Sequence, residues 1–256
     1  MHAGSVTRSA WRVVGIDCAV DARKTAIARA DLEADRLVIR EAMLCGTKAV
    51  AQLACEMVSS EAPTLFALDA PLGWPLALGD ALARHRAGAA IRGAGHSLFR
   101  RRTDEIVKCV TGQQPLDVGA DRIARTAVAA LALLDDVRRR LACSIPLAWT
   151  PTIGETAAIE VYPAATLRQL GIKPRGYKRA TQATTRVAIV QKLADVAEVD
   201  LVCDAAEANA DVLDAIVCVI AGADFLRGTC RPPTTGELRD AEREGWIWFR
   251  ADGARR

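Results

Sequence analysis

The chain has 256 residues, of which 51% are hydrophobic and 25% charged, and its formal net charge is +3. This composition is typical of a globular protein and argues against intrinsic disorder. No apolar stretch reaches the roughly 20 residues that a membrane-spanning helix needs, and the first ten residues lack the apolar core of a signal peptide. The eight cysteines show no C-x-x-C spacing, which disfavours a zinc site and is expected of reduced thiols in a cytoplasmic protein.

The first part of the chain has a pattern of strands interrupted by one helix. Two short apolar runs, each ending in an aspartate, are typical of strands buried on both faces. Between them, two further extended segments joined by a polar turn indicate an antiparallel meander. Because a helix that joins two strands makes them parallel neighbours, we expect the fourth strand beside a parallel partner. The strands are predicted at 11–17, 24–30, 36–40 and 64–69, and the helix at 47–59.

The remainder of the chain is mainly helical, with two further strands. Residues 76–150 lie between the fourth and fifth strands and predict a helical insertion, which contains a Gly- and Arg-rich mobile loop at 88–119. We expect one domain over residues 1–256, built on a mixed α/β sheet of about five strands flanked by helices. The helices are predicted at 77–86, 123–143, 164–170, 184–196 and 205–226, and the strands at 157–162 and 246–249.

Four aspartates are candidate metal ligands. Asp17 and Asp69 each end a buried strand, and ligands of open α/β sheets bind beyond the carboxyl ends of the strands. Asp211 and Asp214 lie in an otherwise apolar helix, where partial burial of two carboxylates raises both pKa values unless a cation binds them. Carboxylate oxygens of this kind are the ligands that Mg²⁺ prefers.

Charge is unevenly distributed along the chain. Seven Lys/Arg and two acids occupy 84–108, seven Lys/Arg and no acid occupy 168–192, and seven acids and no base occupy 195–214. Two basic segments around an acidic one fit a metal site that handles phosphodiesters, although cations on helix faces also serve solubility alone. Within the acidic segment, Asp204 and Glu207 are expected on a solvated helix face.

Six short motifs occur in a fixed order along nearly the whole chain. They are Gly15-Ile16-Asp17-Cys18-Ala19, Leu68-Asp69-Ala70-Pro71-Leu72-Gly73-Trp74-Pro75, Arg101-Arg102-Thr103-Asp104, Glu160-Val161-Tyr162-Pro163, Asp211-Val212-Leu213-Asp214-Ala215-Ile216 and Glu244-Gly245-Trp246-Ile247. The set resembles the bacterial and archaeal family called domain of unknown function 429, whose members are described as predicted nucleases of the RNase H fold. The resemblance covers about residues 11–250.

The resemblance implies an RNase H-like sheet and a metal-dependent nuclease. In that fold the first and fourth strands are parallel neighbours, which would bring Asp17 and Asp69 together, and a late helix would add Asp211 and Asp214. Two metal ions, Mg²⁺ or Mn²⁺, roughly 4 Å apart would activate a water and stabilise the leaving oxygen. Asp17 is expected to bridge both ions, with Asp69 and Asp214 as flanking ligands and Asp211 as a ligand or supporting group. Glu160, at a strand end, either supports the site or only closes a turn.

The same resemblance implies nucleic acid as the partner, DNA or RNA, and the lack of a long apolar stretch predicts no membrane partner. It leaves the oligomeric state open. Asp104 is expected to orient an arginine cluster rather than to bind metal. The cations expected to contact phosphate are Arg101, Arg102, Lys178 and Arg179.

Two other functions remain open. One is a non-catalytic nucleic-acid-binding or scaffold protein with the same fold, since a fold does not imply a function. The other is an ATP-binding protein of the actin and sugar-kinase kind, which shares the core fold. Those proteins need two such domains, and this chain has no Gly-rich phosphate loop between a strand and a helix. A nuclease requires Asp17, Asp69 and Asp214 within reach of a common ion.

Overall fold

The computed structural model describes residues 10–58, 61–91, 93, 95–119, 121–173 and 175–251. In this part of the chain, six strands form one mixed sheet and nine α-helices surround it. The strands are β1 (Trp11–Asp17), β2 (Ala26–Glu33), β3 (Arg36–Leu44), β4 (Thr64–Asp69), β5 (Ala157–Val161) and β6 (Ile247–Trp248). The helices are α1 (Val50–Glu56), α2 (Leu76–Ala83), α3 (Arg102–Thr111), α4 (Asp121–Leu141), α5 (Pro163–Gln169), α6 (Ala183–Leu193), α7 (Cys203–Ala208), α8 (Ala210–Leu226) and α9 (Thr235–Glu244).

The strand order across the sheet is β3-β2-β1-β4-β5-β6. The first three strands pair antiparallel as a meander, and β1, β4, β5 and β6 pair parallel. This arrangement confirms the predicted α/β fold class and is consistent with an RNase H-like fold. The sixth strand is the two-residue β6, which lies within the predicted terminal strand.

Helices cover both faces of the sheet. On one face Val13 of β1 packs in a cluster with Ile216 of α8. On the other face Val14 packs in a cluster with Leu53 of α1 and Leu134 of α4. Because successive side chains of a strand point to opposite faces, the apolar run of β1 contributes to both clusters.

Two glycines allow α8 to approach β1 very closely. A Cβ on Gly15 would overlap the carbonyl oxygen of Ala215 and lie 2.7 Å from the backbone nitrogen of Val219. A Cβ on Gly222 would lie 2.7 Å from Cγ1 of Val13. The backbone of the helix therefore rests on the strand at a distance that a side chain at either position would prevent.

The insertion between β4 and β5 contains a helix that the sequence does not predict. The Gly- and Arg-rich pattern predicts a loop over 88–119, but Arg102–Thr111 form α3. Its buried residues, which include Ile106 and Val107, lie on one helical face, and the carboxylate of Asp104 accepts a hydrogen bond from the backbone N–H of Arg101. The abundant arginines obscure this short apolar face in the sequence. The single-domain assignment over 1–256, with 76–150 as an insertion, stays a prediction.

The predicted helix at 205–226 is in fact two helices, α7 and α8, which meet at Asn209. The side chain of Asn209 accepts hydrogen bonds from the backbone N–H groups of Asp211 (2.8 Å) and Val212 (3.2 Å) and so caps the start of α8. An asparagine that satisfies these donors stabilises a new helix start rather than a continuous helix. Asp204 and Glu207 therefore belong to a different helix from Asp211 and Asp214.

None of the helices in the described ranges has the length and apolar character needed to cross a membrane.

We expect Gly15→Ala to destabilise the protein by about 1–3 kcal/mol, because the added methyl group forces α8 away from β1. Urea unfolding measures this change as a lower midpoint. Gly79→Ala is the matched control, because Gly79 lies in α2 with open space around it, and alanine there leaves stability unchanged or raises it by up to about 1 kcal/mol. Equal stabilities of the Gly15 variant and the wild type would contradict this account of the helix contact.

Candidate metal centre

Three aspartates from three separate elements meet at one end of the sheet. The parallel register of β1 and β4 places Asp17 directly beside Asp69 at the carboxyl ends of both strands. Asp214 of α8 completes the group, and one carboxylate oxygen of each residue lies within 4.8 Å of the others. These are the three residues predicted as metal ligands.

The contact between α8 and β1 explains why Asp214 joins the pair. Gly15 and Asp17 lie on the same face of β1, because they are two residues apart in a strand. The backbone of α8 rests on Gly15 through Ala215, the residue that follows Asp214. The carboxylate of Asp214 is fully buried as a result, with an exposed fraction of 0%.

Asp214 has two close partners, which come from one loop. The hydroxyl of Tyr177 donates to Oδ1 of Asp214 at 2.5 Å, and Nζ of Lys178 lies 2.6 Å from Oδ2. Tyr177 is buried, whereas the Lys178 side chain is 59% exposed. The two contacts fix the orientation of the carboxylate and leave the ammonium group between the aspartates and solvent.

Arg186 holds this loop in place. Its guanidinium donates to the carbonyl oxygens of Tyr177 at 2.9 Å and Arg179 at 3.1 Å. It also donates to the carbonyl oxygens of Glu207 at 2.7 Å and Ala208 at 3.3 Å, which end α7 just before α8 starts. One buried side chain thus fixes the positions of both the loop and the helix junction.

Burial and mutual repulsion perturb the three carboxyl groups. Burial raises the pKa of Asp17 well above its ordinary value, and the charges of Asp69 and Asp214 raise it further. Burial raises the pKa of Asp69 to about 7, while Lys178 lowers it in part. The pKa of Asp214 is also raised by burial, although Lys178 and Tyr177 oppose this. Burial and mutual repulsion thus both disfavour the ionised forms of these carboxyl groups, and Lys178 opposes this effect only in part.

The partner groups of Asp214 are held in their hydrogen-bonding forms. Burial raises the pKa of the Tyr177 hydroxyl, and the charge of Asp214 raises it further, so this group stays protonated and donates. Burial lowers the pKa of Lys178, but Asp214, Asp69 and Asp17 raise it by more, so the amine stays charged.

The two other predicted acids lie at different distances from this cluster. Asp211 is half-buried in the first turn of α8, and its charge raises the pKa values of both Asp17 and Asp214. It thus affects the cluster electrostatically without belonging to the three-residue group. Glu160 lines the same cavity and its charge raises the pKa of Asp69, but its carboxylate oxygens already accept hydrogen bonds from Arg101.

Glu160 belongs to a buried network centred on Arg101. The guanidinium of Arg101 makes two hydrogen bonds to Glu160 (2.6 and 2.8 Å) and two to Asp104 (2.9 and 3.2 Å), and Glu160 also accepts from the backbone N–H of Leu72 at 2.9 Å. The carboxylate of Glu244 accepts from the backbone N–H of Leu76 at 2.7 Å and of Arg102 at 2.8 Å, at the starts of α2 and α3. This network joins the insertion to β5 and α9.

The predicted phosphate contacts differ in their positions. Lys178 lies on the aspartate cluster, whereas Arg101 is only 1% exposed and its guanidinium is already bonded to Glu160 and Asp104. Arg102 and Arg179 are exposed, and Arg102 pairs with Glu105 at 3.2 Å. Asp104 orients Arg101, which agrees with its expected role.

The sequence does not predict two residues of the site, Tyr177 and Arg186. Tyr177 has a weak signal, an aromatic residue beside a lysine in a segment with no acids. Arg186 is one of several cations in that segment, and its burial depends on the distant carbonyl groups that it contacts.

The cluster opens into a cavity of about 460 Å³. Asp17 and Asp69 line it together with Tyr162 and Lys178, and a segment of the insertion closes the opposite side. Carboxylates are the hard oxygen donors that divalent cations prefer, and three of them converge here from independent elements. The donor set thus fits a divalent metal ion that remains accessible from the cavity.

A model of one protein family matches residues 15–237, and it is described as a protein of unknown function (DUF429). The chain belongs to this family. The match includes Asp17, Asp69 and Asp214 and confirms the family membership that the six motifs predict. Comparisons of this DUF429 chain with curated proteins and with solved structures found no match.

We expect the stability of the metal-free protein to fall as pH rises, and we expect Asp69→Asn to remove this loss of stability. Because the pKa of Asp69 rises from an ordinary value of 3.8 to about 7, the folded state binds more protons than the unfolded state between these values, and stability falls as pH rises through this window. The free energy of unfolding of the variant, relative to wild type, should thus increase between pH 4.5 and 7.5, by on the order of 2 kcal/mol.

Urea unfolding in EDTA at several pH values measures this difference. The contributions of other carboxyl groups to the pH dependence cancel, because both proteins contain these groups. Asp204→Asn serves as the control, since Asp204 is exposed on α7, and its difference from wild type should not change with pH. Parallel stability profiles for wild type and Asp69→Asn would show that the cluster is not strained by its own charge.

We also expect Lys178→Met to bind Mn²⁺ more tightly, by about tenfold, because the ammonium group no longer competes for Asp214. The same change should lower the melting temperature in EDTA, since it leaves the buried carboxylate of Asp214 without its counter-charge. Calorimetric titration measures the affinity, and Arg179→Met, which removes the neighbouring exposed cation, is the control. Unchanged Mn²⁺ affinity in Lys178→Met would mean that the lysine and the ion do not compete.

Proposed function

We propose that this protein is a metal-dependent nuclease, which hydrolyses phosphodiester bonds of DNA or RNA with Mg²⁺ or Mn²⁺ held by Asp17, Asp69 and Asp214. One observation carries the proposal. Three carboxylates from β1, β4 and α8 converge within 4.8 Å at the carboxyl ends of parallel strands, beside an accessible cavity. A group of this composition is energetically unfavourable without a cation, since burial and repulsion raise all three pKa values.

The residues of the site would share the work of binding and orientation. A bound divalent cation supplies Lewis acidity and lowers the pKa of a coordinated water. Asp17 lies on β1, which pairs with β4 and contacts α8. Asp17 and Asp69 both line the cavity. Tyr177 holds Oδ1 of Asp214, so a divalent cation would bind Oδ2 in place of the Lys178 ammonium group. Lys178 provides a positive charge at the rim, where an anionic phosphate group would approach.

One contact favours the alternative of a non-catalytic nucleic-acid-binding or scaffold protein. The ammonium group of Lys178 lies 2.6 Å from Asp214 and partly neutralises the cluster without any metal. If this ion pair is permanent, the carboxylates are structural. The excess of three acids over one contacting cation supports the nuclease instead, and the two proposals differ in their dependence on metal.

The nuclease proposal predicts metal-dependent hydrolysis that requires Asp17. We expect the wild type to cleave at least one substrate among labelled single-stranded and double-stranded DNA and RNA in Mg²⁺ or Mn²⁺, and EDTA to abolish cleavage. Asp17→Asn should reduce the rate by at least about 100-fold, because it removes a charged ligand of the cation. The variant should also bind Mn²⁺ more weakly in a calorimetric titration.

Asp204→Asn is the matched control, because it removes one carboxylate from an exposed position outside the cluster, and it should cleave as the wild type does. A wild type that binds oligonucleotide but neither Mn²⁺ nor Mg²⁺, with or without the oligonucleotide, would contradict the nuclease and support the scaffold. Cleavage that persists in Asp17→Asn at the wild-type rate would place the activity elsewhere.

A further inference from the structure

A second cavity continues from the one beside the aspartates. It has a volume of about 870 Å³ and lies between the turn that joins β1 to β2 and the start of α4. The two cavities share part of their walls, including Cys18, Leu116 and Ile123. We call the second cavity the basic groove, and define it by Val20, Lys24, Leu116, Arg122 and Arg125.

The basic groove has a net positive lining. Its two acids already have cationic partners: Asp117 pairs with Arg100 at 2.8 Å, and Asp21 pairs with Arg23 at 2.9 Å. Lys24 and Arg122 are exposed on opposite walls of the groove. The electrostatic potential therefore changes from negative at the aspartates to positive along the groove. This is the charge pattern that complements a chain of phosphates with one of them at a metal centre.

The groove also has exposed apolar surface. Val20 is 55% exposed and Leu116 67% exposed, which places both among the few large apolar side chains that face solvent in the described ranges. They line the groove beside the cations. A ligand that carries both negative charge and apolar faces would contact both kinds of residue.

We propose that the basic groove binds a single-stranded nucleic acid segment adjacent to the phosphodiester at the aspartate cluster. Lys24, Arg122 and Arg125 contact its phosphates, and Val20 and Leu116 contact its unpaired bases. This inference deepens the nuclease proposal and rests on it, since it specifies the form of the substrate. None of these five residues belongs to the metal centre.

Shape favours a single strand over a duplex. The aspartates are recessed: Asp214 is fully buried, and the cavity beside the group has about the volume of a site for one small ligand. A double helix presents a wide, rigid surface of sugar and phosphate and keeps its bases stacked inside. An unpaired strand can enter a cleft and exposes its bases to contact with side chains.

The test measures binding of a fluorescent 12-nucleotide single strand in EDTA, where cleavage does not occur and the metal centre does not contribute. Neutralisation of about three phosphates predicts a slope of log affinity against log salt of about −2, and Lys24→Ala or Arg122→Ala should reduce its size by about 0.7. Each variant should also bind roughly threefold to tenfold more weakly at low salt. Leu116→Ala should weaken binding without a change in slope, because it removes an apolar contact only.

Lys192→Ala is the matched control, because it removes an equal charge from an exposed position on α6, and it should bind as the wild type does. A duplex of the same length should bind at least tenfold more weakly than the single strand. Equal binding of the duplex, or a slope that Lys24→Ala and Arg122→Ala leave unchanged, would overturn the proposal.

The groove proposal and the nuclease proposal can be contradicted independently of each other. Calorimetric titration of Lys24→Ala with Mn²⁺ should match the wild type, because Lys24 is not a ligand. Mn²⁺ binding and cleavage that persist while the groove variants bind the strand normally would overturn the groove and leave the nuclease intact. Groove-dependent binding of the strand with no response to Mn²⁺ would support the groove and overturn the nuclease.

Discussion

The close contact between α8 and β1 determines where the candidate metal centre lies. Helices usually pack on sheets through layers of side chains, but here glycines at Gly15 and Gly222 let the helix backbone rest on the strand. The contact sits beside Asp214 and on the face of β1 that carries Asp17. A larger separation would leave the carboxylate of Asp214 out of reach of Asp17 and Asp69. The packing of the core and the assembly of the site thus depend on the same few atoms.

Two groups of acids in the described part of the chain differ in how their charge is compensated. Glu160 and Asp104 share the guanidinium of Arg101, which is itself buried and makes paired hydrogen bonds to both. Such a closed network satisfies its members and joins elements of the fold. Of the three aspartates of the metal centre, Asp214 has an ion pair with the ammonium group of Lys178, whose side chain is 59% exposed. The unbalanced group is therefore the one suited to bind an external cation.

The electrostatic design extends beyond the aspartates. Lys178 lies directly on the cluster, while Lys24 and Arg122 lie in the adjoining groove, so negative and positive regions follow one another along one continuous surface. These cations come from three distant parts of the chain. A metal-dependent enzyme that acts on a polyanion needs a cation-binding site next to an anion-binding site. The anion-binding site then holds the polyanion so that its reactive bond lies at the metal ion.

The sequence alone indicated the order of the strands and the four candidate aspartates, because buried strands that end in an acid, and acids within an apolar helix, are local patterns. That Asp17, Asp69 and Asp214 would meet was implied by the resemblance to the family. The break at Asn209 and helix α3 were not, since capping and arginine-rich composition compete with the helical pattern. Only the tertiary structure decided that Arg101 is buried, that Arg186 holds the loop of Tyr177, and that Lys24 and Arg122 face one groove. These features depend on contacts between residues far apart in the chain, and no local pattern of charge distinguishes a buried arginine from an exposed one.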